Sequence, residues 1–320
     1  MIYVNPAPAA MASGEFYDTD GADYYLSPAK LASDYADLRF ERELRLFHEF
    51  CPRGAVLDVG CGSGGFLFQL KKRWPGDYEI LGTDVSGGPL DHAESRGVPV
   101  VRGDFLNQDF RFVSAQKPTP HPSQEGNTTA GASCNAPLLG GAGGGSVYEV
   151  GGPALAGTGE GIPSASFDAV TLWAVAEHLA EPKKFLTQIH SLLKPGGVCF
   201  VLVPNLRSLA VRLLGAKYRY VYEQHLNYFS AQTLARFGEP HFQVVATRYM
   251  HFNPVVIWQD WRGGGRDVSN AERGELLKQT TALKLKPWLK PVKALYGLTE
   301  KILGSMGLAD NVVVIFQKRC

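Results

Sequence analysis

Residues 55–65 have the sequence Ala-Val-Leu-Asp-Val-Gly-Cys-Gly-Ser-Gly-Gly, in which a short apolar run passes directly into a glycine-rich turn. A run of this kind is typical of a buried strand. Glycines let the backbone turn sharply and approach a ligand without an intervening Cβ atom. The N–H groups that begin the next helix favour anionic or polar ligand groups. We therefore predict a strand, a ligand-binding loop and a helix in this order.

Outward from this loop, strand-like apolar runs alternate with helical patterns. The predicted strands are Ala55–Val59, Glu79–Asp84, Val98–Arg102, Phe167–Trp173 and Val198–Val203, and the predicted helices are Leu38–Phe50, Gly64–Arg73, Pro89–Ser95 and Pro182–Leu193. Short, nearly all-apolar strands separated by helices indicate a parallel sheet that is covered on both faces. The sequence thus predicts an α/β protein with a doubly wound, mainly parallel, Rossmann-like sheet.

The chain divides into a core and flanking segments. Beyond the core strands we predict a helix at Arg207–Leu214, a strand at Phe242–Tyr249, mostly helix at Glu272–Met306 and a closing strand at Asn311–Lys318. We therefore assign an N-terminal lid segment to 1–37, the core to 38–250, a helical substrate or cap segment to 251–310 and the closing strand to 311–320. Within the core, residues 114–163 are rich in glycine and proline, and we interpret them as a disordered insertion, with a substrate lid as the alternative.

The charge balance excludes several classes of protein. Lys and Arg number 32 and Asp and Glu 31, so the formal net charge of +1 gives no electrostatic basis for general nucleic-acid binding. The apolar runs are far shorter than the roughly 18–20 residues of a membrane-spanning helix, and no secretory signal is recognisable. The five cysteines form no Cys-x-x-Cys pair, which indicates a reducing, cytoplasmic compartment. The lysine-rich segment 278–301 can lie on a membrane surface, the alternative being a solvated helix face.

Acidic residues at the strand ends narrow the choice of cofactor. Gly60, Gly62 and Gly65 satisfy Gly-x-Gly-x-x-Gly, which nicotinamide and flavin enzymes share with methyltransferases. Asp58 lies two residues before the first glycine, where a carboxylate suits an ammonium group and repels a pyrophosphate. Asp84 ends the next strand, where an acid can accept both ribose hydroxyls.

The third strand ends in a comparable feature. Gly103, Asp104 and Phe105 place a carboxylate beside an aromatic ring, a combination that suits an adenine ring and its amino group. A single aspartate at a strand end is equally well explained as a helix N-cap. The ordered succession of such features on neighbouring strands nevertheless favours a cofactor with an adenosine and an ammonium group.

On these residues the chain resembles the class I S-adenosylmethionine-dependent methyltransferases, particularly the branch of ubiquinone-biosynthesis O-methyltransferases and related small-molecule methyltransferases. The matching segments are VLDVGCGSGGF (56–66), LGTDVS (81–86), GDF (103–105), FDAVTLWAVAEHL (167–179), LLKPGG (192–197) and EQHLNYFS (223–230). The resemblance implies a seven-stranded sheet with an antiparallel last strand, S-adenosylmethionine as cofactor, and a small-molecule acceptor methylated at a hydroxyl oxygen.

The resemblance also implies which residues contact the cofactor. They are Asp58, Gly60, Cys61, Gly62, Gly64, Asp84, Val85, Asp104, Phe105 and Trp173. The backbone of the glycine loop is expected to hold the methionine part, and Asp58 is expected to face its ammonium group. Asp84 is expected to bind the ribose, with Val85, Asp104 and Phe105 at the adenine. Trp173 is expected to line the pocket beyond its strand.

The chain departs from the family at two places. Ubiquinone-type enzymes carry a metal-linked pattern with a glutamate three residues before a Glu-His pair, whereas this chain has Ala174 before Glu177 and His178. A lone Glu-His pair offers too few ligands for a stable divalent site, so the sequence predicts no metal. The opening residues 1–6 resemble the tail of a cysteine-ligated zinc module that precedes some relatives, but its cysteines are absent.

Three residues are candidates for the chemistry. Methyl transfer requires the acceptor, the methyl carbon and the sulfur in line, and a hydroxyl acceptor gains from a general base, most often histidine. Glu177 and His178 follow the fourth strand, and His225 follows the fifth through an aromatic loop, so all three are predicted at the ligand-binding edge of the sheet. His225 ranks first, and packing roles are the alternative for both histidines.

Aromatic residues are predicted to enclose the site. The side chains expected to form an acceptor pocket around His225 are Tyr218, Tyr220, Tyr222, Tyr228 and Phe229. Tyr17, Tyr24 and Tyr25 are expected to close over the site as a lid, with a disordered N terminus as the alternative. Two other functions stay open at this point, a nicotinamide-dependent oxidoreductase and a non-catalytic protein that binds S-adenosylmethionine.

Overall fold

Seven strands form one sheet in the computed structural model, which describes residues 2–3, 20–108, 110, 166–222, 224–263 and 290–319. The strands are β1 Gly54–Val59, β2 Tyr78–Asp84, β3 Val100–Arg102, β4 Phe167–Trp173, β5 Leu193–Pro204, β6 Phe242–Met250 and β7 Asn311–Lys318. Their spatial order is β3-β2-β1-β4-β5-β7-β6. β1 to β5 pair in parallel, and β7 is antiparallel to both β5 and β6. The predicted seven-stranded sheet with an antiparallel last strand is confirmed.

Helices cover both faces of this sheet. They are α1 Asp20–Tyr25, α2 Pro28–Asp34, α3 Glu41–Phe50, α4 Gly65–Arg73, α5 Gly87–Ser95, α6 Pro182–Leu192, α7 Leu209–Leu214, α8 Ala231–Gly238, α9 Pro254–Gly263 and α10 Lys290–Ser305. Because successive strand residues point to opposite faces, Val56 belongs to a core cluster that includes residues of α3, α4 and α5, whereas Leu57 belongs to one that includes residues of α6 and α8. This two-sided core explains why the strands are apolar along their whole length.

Some predictions fall on residues that the structure does not describe. The insertion at 114–163 lies outside the described residues, and so do Tyr17 and residues 264–289 of the helical segment. Several predicted boundaries differ by a few residues, and at β5 the strand begins at Leu193 rather than at Val198. Leu193 pairs with Phe167 and Val198 pairs with Ala169, so the Lys-Pro-Gly-Gly turn forms an irregularity inside the strand. Within the part of the chain that is described, no helix combines the length and apolar character needed to cross a bilayer.

Parallel pairing brings the loops that follow β1, β2, β3 and β4 to one edge of the sheet. The chain after β5 returns to this edge, where Asn205 forms a bridge with Phe229. A short antiparallel ribbon of residues 2–3 with Asn227–Tyr228 lies beside it. Ligands of doubly wound sheets bind at the carboxyl ends of the strands, so the candidate site is expected at this edge.

Candidate active site

The glycine loop is held tightly against β2. The N–H groups of Gly60 and Cys61 both donate to the Thr83 carbonyl, at 2.8 and 3.0 Å. Gly60 and Gly62 have φ angles of +73° and +52°, a region that favours glycine. A Cβ atom on Gly60 would lie 2.5 Å from the side chain of Val175, so the loop after β4 packs directly on it. Position 60 therefore has no room for a side chain.

Gly64 has a packing role in the structure. It lies directly before α4 with a φ of +76°. A Cβ atom there would lie 2.9 Å from Ala93 of α5 and 3.3 Å from Val98. The glycine thus permits close packing of α4 against its neighbours.

Asp58 is a buried acid at the base of this loop. It is 3% exposed, and its carboxylate accepts a hydrogen bond of 2.6 Å from the Thr171 hydroxyl of β4. Burial raises the pKa of Asp58 to about 7, and the nearby charge of Asp84 contributes to the increase. A cation placed against this carboxylate would stabilise its ionised form, as the ammonium group of the expected cofactor would do.

Asp84 ends β2 and braces the glycine loop. One carboxylate oxygen accepts a hydrogen bond from the Gly62 N–H at 2.8 Å, and the other accepts from the Ser86 N–H at 3.0 Å. The neighbouring Val85 side chain is 40% exposed at the same edge. The structure thus brings the expected ribose-binding acid and an open apolar surface together beside the loop.

Asp104 and Phe105, at the end of β3, both have contacts within the protein. The exposed Asp104 carboxylate accepts hydrogen bonds from the Leu106 N–H at 3.1 Å and the Asn107 side-chain amide at 2.7 Å, so it caps a short helical turn. The Phe105 ring is 3% exposed and lies 5.1 Å from the Phe185 ring in the core. The ring is enclosed and presents no open face to an adenine, because the apolar side chain packs inward beneath the turn.

Trp173 lies at the end of β4, as predicted. It is half-buried, and its ring centroid is 5.1 Å from that of Phe66 on α4. Its indole N–H is buried without a hydrogen-bond acceptor among the described residues. A buried N–H group of this kind can donate a hydrogen bond to a polar group of a bound ligand.

The N-terminal helices lie on the glycine loop. A Cβ atom on Gly62 would meet the Tyr25 ring at 3.6 Å, which places this ring over the loop. The Tyr35 hydroxyl donates to the Ser63 carbonyl, and the Ser63 hydroxyl donates to Asp34 at 3.2 Å. Sequence reasoning predicted Tyr25 in a covering segment but missed Asp34 and Tyr35, which no motif distinguishes from ordinary helix residues.

The three candidate catalytic residues converge. Glu177 and His178 come from the loop after β4, and His225 comes from the loop before α8. One potential ligand atom from each lies within 4.8 Å of the other two. The Nδ1 atom of His178 is 2.8 Å from the Gln224 carbonyl, and the Nδ1 atom of His225 is 2.9 Å from the Tyr220 carbonyl. The expectation that all three serve one site is thus consistent with their placement.

Burial shifts the pKa values of two members, Glu177 and His178, of the cluster that they form with His225. Glu177 is 1% exposed, and one of its carboxylate oxygens has no hydrogen-bond partner in the described parts of the chain. Burial raises the pKa of Glu177 to about 8 and lowers the pKa of His178 to about 4. Glu177 and His178 are therefore both neutral near pH 7 when nothing is bound to them.

Two of the predicted aromatic side chains lie beside His225. The ring centroids of Tyr222 and Tyr228 lie 4.4 and 6.1 Å from its own. Tyr218 packs instead in a small apolar cluster with α7 and α9, and Phe229 is fully buried in the main core. These two side chains cannot line an acceptor pocket, because the apolar faces of the sheet and of α9 enclose them.

Asn227 is a residue of the site that sequence reasoning missed. Its N–H donates to the Glu177 carbonyl at 2.9 Å, and its side-chain amide donates to the carbonyls of Ala176 at 3.3 Å and Leu179 at 2.7 Å. The buried amide thereby joins the two loops that carry the cluster. One indication of this role was present in the sequence: Asn227 lies two residues after His225, in the segment 223–230 that resembles the methyltransferase family.

The number of potential metal ligands is larger than the sequence predicted. The prediction of no metal considered Glu177 and His178 alone, since Ala174 replaces the glutamate of the related pattern. The fold adds His225 to this pair, so three potential ligands are present at one place. Sequence spacing could not show this, because the third residue approaches through the packing of a separate loop.

Comparison with known proteins places this geometry in a family. Residues 32–240 match the family model described as a methyltransferase domain. The ubiquinone biosynthesis O-methyltransferase of Ruegeria pomeroyi is 29% identical over 221 residues, which cover 65% of this chain and 66% of that protein. The protein of the same name from Roseobacter denitrificans is 29% identical over 282 residues, which cover 81% of this chain and 89% of that protein.

A solved structure shows the same fold. The S-adenosylmethionine-dependent methyltransferase of Thermotoga maritima, described as a possible histamine N-methyltransferase, has a TM-score of 0.52 at 16% identity and covers 95% of this chain and 99% of that one. The family match includes the glycine loop, Asp58, Asp84 and the Glu177 cluster, and it decides against a nicotinamide-dependent oxidoreductase. The chain belongs to the methyltransferase domain family and is an S-adenosylmethionine-dependent methyltransferase.

Proposed function

We propose that this enzyme transfers the methyl group of S-adenosylmethionine to a hydroxyl oxygen of a small hydroxylated aromatic molecule. The observation that carries the proposal is the convergence of Glu177, His178 and His225 beside the glycine loop. Val175, two residues before Glu177, contacts Gly60 directly, so the cluster is close to the expected methionine end of the cofactor. The names of the curated relatives, which are O-methyltransferases, support oxygen as the acceptor atom.

The surroundings of the cluster favour a small acceptor. Glu177 and His225 are only 1% and 3% exposed, so a large polymer would not reach them without extensive opening. The rings of Tyr222 and Tyr228 beside His225 offer apolar faces against which an aromatic acceptor can stack. The formal charge of +1 supports the same conclusion, because it provides no general attraction for nucleic acid.

The residues of the chain would position the cofactor and the acceptor, and they would remove the proton of the acceptor hydroxyl. Alignment of two reactants can contribute up to about 7–11 kcal/mol to a bimolecular transfer. A hydroxyl becomes a better nucleophile as its proton leaves, and the Glu177, His178 and His225 cluster is the polar group at this edge that can take part in that step. Asp58 and Asp84 would hold the cofactor so that its methyl group faces the cluster.

The experiment is a methyl-transfer assay with labelled S-adenosylmethionine and a panel of catechols, quinols, simple phenols, sugars and amines. We expect transfer to hydroxylated aromatic acceptors, with mass spectrometry locating the methyl group on oxygen. An Asp84→Ala variant serves as the cofactor-binding control and should lose the activity. Transfer restricted to amines, protein or nucleic acid would contradict the proposal.

Calorimetric titration of the same preparation with S-adenosylhomocysteine is the control for the assay. Binding with micromolar affinity would show that the preparation is folded and holds the cofactor product. A preparation that binds in this way but methylates nothing in the panel would contradict the proposed acceptor class.

We further propose a cytoplasmic location with peripheral contact to a membrane. Cys51, Cys61 and Cys199 form no disulfide in the described residues, which supports a reducing compartment. Trp258 and Trp261 on α9 are 53% and 70% exposed, and α10 carries further exposed apolar side chains within the described part of segment 278–301. Co-sedimentation with anionic vesicles should weaken when both tryptophans are changed to alanine, and binding that is unchanged would contradict this contact.

A further inference from the structure

A groove runs between helices α6 and α8. Its volume is about 720 Å³, which is within the size of pockets that bind small organic molecules, about 300–1,000 Å³. The residues that line it are Lys183, Leu186, Thr187, Thr233, Arg236, Phe237, Pro240 and His241. None of them is expected to contact the cofactor, and none belongs to the Glu177, His178 and His225 cluster. The groove is therefore a place separate from the candidate active site.

The floor of the groove is apolar and firmly packed. Leu186 is 4% exposed and belongs to the main core, and the Phe237 ring lies 5.8 Å from the buried Phe229 ring. A Cβ atom on Gly238 would lie 2.3 Å from the Phe316 ring of β7, so α8 rests directly on the sheet. The floor is thus a fixed apolar surface.

A hydrogen bond joins the two sides of the groove. The Thr187 hydroxyl donates to the Lys183 carbonyl at 3.1 Å, and it also lies 3.1 Å from the His241 Nε2 atom. Because the hydroxyl proton goes to the carbonyl, the imidazole N–H is the donor in the second bond. This bond connects α6 to the residues that follow α8. A groove that is already formed costs less ordering entropy when a ligand enters it.

The charge of the groove has one sign. No acidic residue is among the described residues that line it. Lys183 and Arg236 are exposed, and their side chains make no ion pair within the described parts of the chain. The neighbouring carboxylate of Glu181 pairs with Lys184 instead, at 2.7 Å. Two positive charges without a counter-charge attract an anionic group.

We propose that this groove binds a small amphipathic carboxylate, a molecule with an apolar ring or chain and one acid group. The apolar part lies on Leu186, Phe237 and Pro240, and the burial of its surface favours binding. Lys183 and Arg236 hold the carboxylate from opposite sides of the groove. A guanidinium group suits this task, because two of its N–H groups can donate to the two carboxylate oxygens.

The experiment is a titration with 2-naphthoate, followed by calorimetry and by the fluorescence of the probe. Saturating S-adenosylhomocysteine keeps the cofactor site occupied throughout. We expect a dissociation constant on the order of 100 μM or tighter, as is reasonable for a ligand of this size. Binding should weaken as the salt concentration rises, because salt screens exposed charges.

Two further probes separate the roles of charge and apolar surface. The neutral 2-naphthamide keeps the ring without the charge, and acetate keeps the charge without the ring. Each should bind at least about tenfold more weakly than 2-naphthoate, because each lacks one of the two contributions. Equal binding of 2-naphthamide and 2-naphthoate would contradict the role of the two cations.

Substitutions of the two cations test the position of the site. Lys183→Gln and Arg236→Gln should each weaken 2-naphthoate about three- to tenfold, and the double variant at least about tenfold. Lys184→Gln is the matched control, since it removes the same charge from the next residue of α6, which does not line the groove. This control should change the affinity by less than about twofold.

Thermal unfolding verifies that the variants are folded, and the single variants test the site should the double variant fail to fold. Binding at full strength by the double variant would place the probe elsewhere and overturn the proposal. Absence of measurable 2-naphthoate binding by the parent protein, or an equal loss in Lys184→Gln, would overturn it as well. No acceptor and no methyl transfer are needed for the titration, so the groove and the proposed function can fail separately.

Discussion

The carboxylate of Asp58 and the hydroxyl of Thr171 lie 2.6 Å apart across the neighbouring parallel strands β1 and β4. Both residues are almost completely buried. A single hydroxyl donor offsets only part of the cost of burying a carboxylate, so burial, with the charge of Asp84, raises the pKa of Asp58 to about 7. The edge of the sheet thereby holds an acid that a cationic ligand group can ionise.

The affinity for S-adenosylhomocysteine is expected to depend on the ionisation of Asp58. If the ammonium group binds the carboxylate, affinity should rise about tenfold per pH unit below pH 7 and level off above it. The folded pKa is raised from 3.8, so the free energy of unfolding of the ligand-free protein should fall as the pH rises from about 4 to about 7. Calorimetric titration and denaturant unfolding at several pH values measure the two effects.

Two variants test this assignment. Asp58→Asn should weaken S-adenosylhomocysteine at least tenfold at pH 8 and remove the pH dependence, because no carboxylate is left to ionise. Thr171→Val removes the hydroxyl donor that favours the ionised form, so it should shift the binding curve to higher pH. An unaltered pH profile in Asp58→Asn would show that another group controls the binding.

Gly60 and Gly76 form a matched pair for testing the glycine loop. Both have positive φ angles, of +73° and +88°, but a Cβ atom would clash with Val175 only at Gly60 and would meet nothing within 4 Å at Gly76. Gly76→Ala should cost about 1–2 kcal/mol of folding free energy from backbone strain alone. Gly60→Ala should cost more and abolish cofactor binding. Equal effects of the two substitutions would show that close packing by Val175 is unimportant.

Asp84 and Asp104 should differ strongly in their importance for the cofactor. Asp84→Asn weakens the bracing of the loop and removes a charged ribose acceptor, so we expect a loss of about 1.5–3 kcal/mol, ten- to hundredfold in affinity. Asp104 caps its own turn and is exposed, so Asp104→Asn should change affinity by less than about threefold. A comparable loss of affinity in Asp104→Asn would instead support the contact between Asp104 and adenine that the sequence predicts.

A buried acid on α3 tests the stability of the fold. Glu43 on α3 is 5% exposed and lies 3.2 Å from the His251 Nε2 atom. Burial alone would raise the pKa of Glu43, but His251 and Arg39 hold it at about 2, well below 4.5. The stabilisation is therefore present above pH 4.5 and should be lost as the pH falls from about 4.5 to about 2.

The corresponding variant has a control on the same helix. Glu43→Gln should lower the free energy of unfolding at pH 7 by about 1.5–3 kcal/mol. Glu49 on α3 is largely exposed, and its ion pair with Arg248, at 3.6 Å, is also exposed to solvent. Exposed ion pairs contribute little to stability, so Glu49→Gln should leave the free energy of unfolding nearly unchanged. Denaturant unfolding compares the two, and equal losses would indicate a general effect of charge on α3.

Local sequence patterns were sufficient to predict the sheet and the glycine loop. Apolar runs, glycine positions and acids at strand ends depend on residues close together in sequence, and they predicted β1, β2 and β4 together with Asp58 and Asp84. Phe105 shows where such reasoning fails. Its aromatic ring was predicted to face the adenine, but its orientation depends on Phe110 and Phe185 in the core, which the local motif does not contain.

Patterns along the chain were sufficient to predict the family, the order of the elements and the edge of the sheet at which we expect the cofactor. The folded structure was needed to show that Asp104 caps a turn, that Tyr218 and Phe229 are buried, and that His225 meets Glu177 and His178. The difference arises from the range of the interactions. Strand and loop patterns arise from neighbours along the chain, whereas the cluster exists because Asn227 and the packing of two separate loops bring distant residues together.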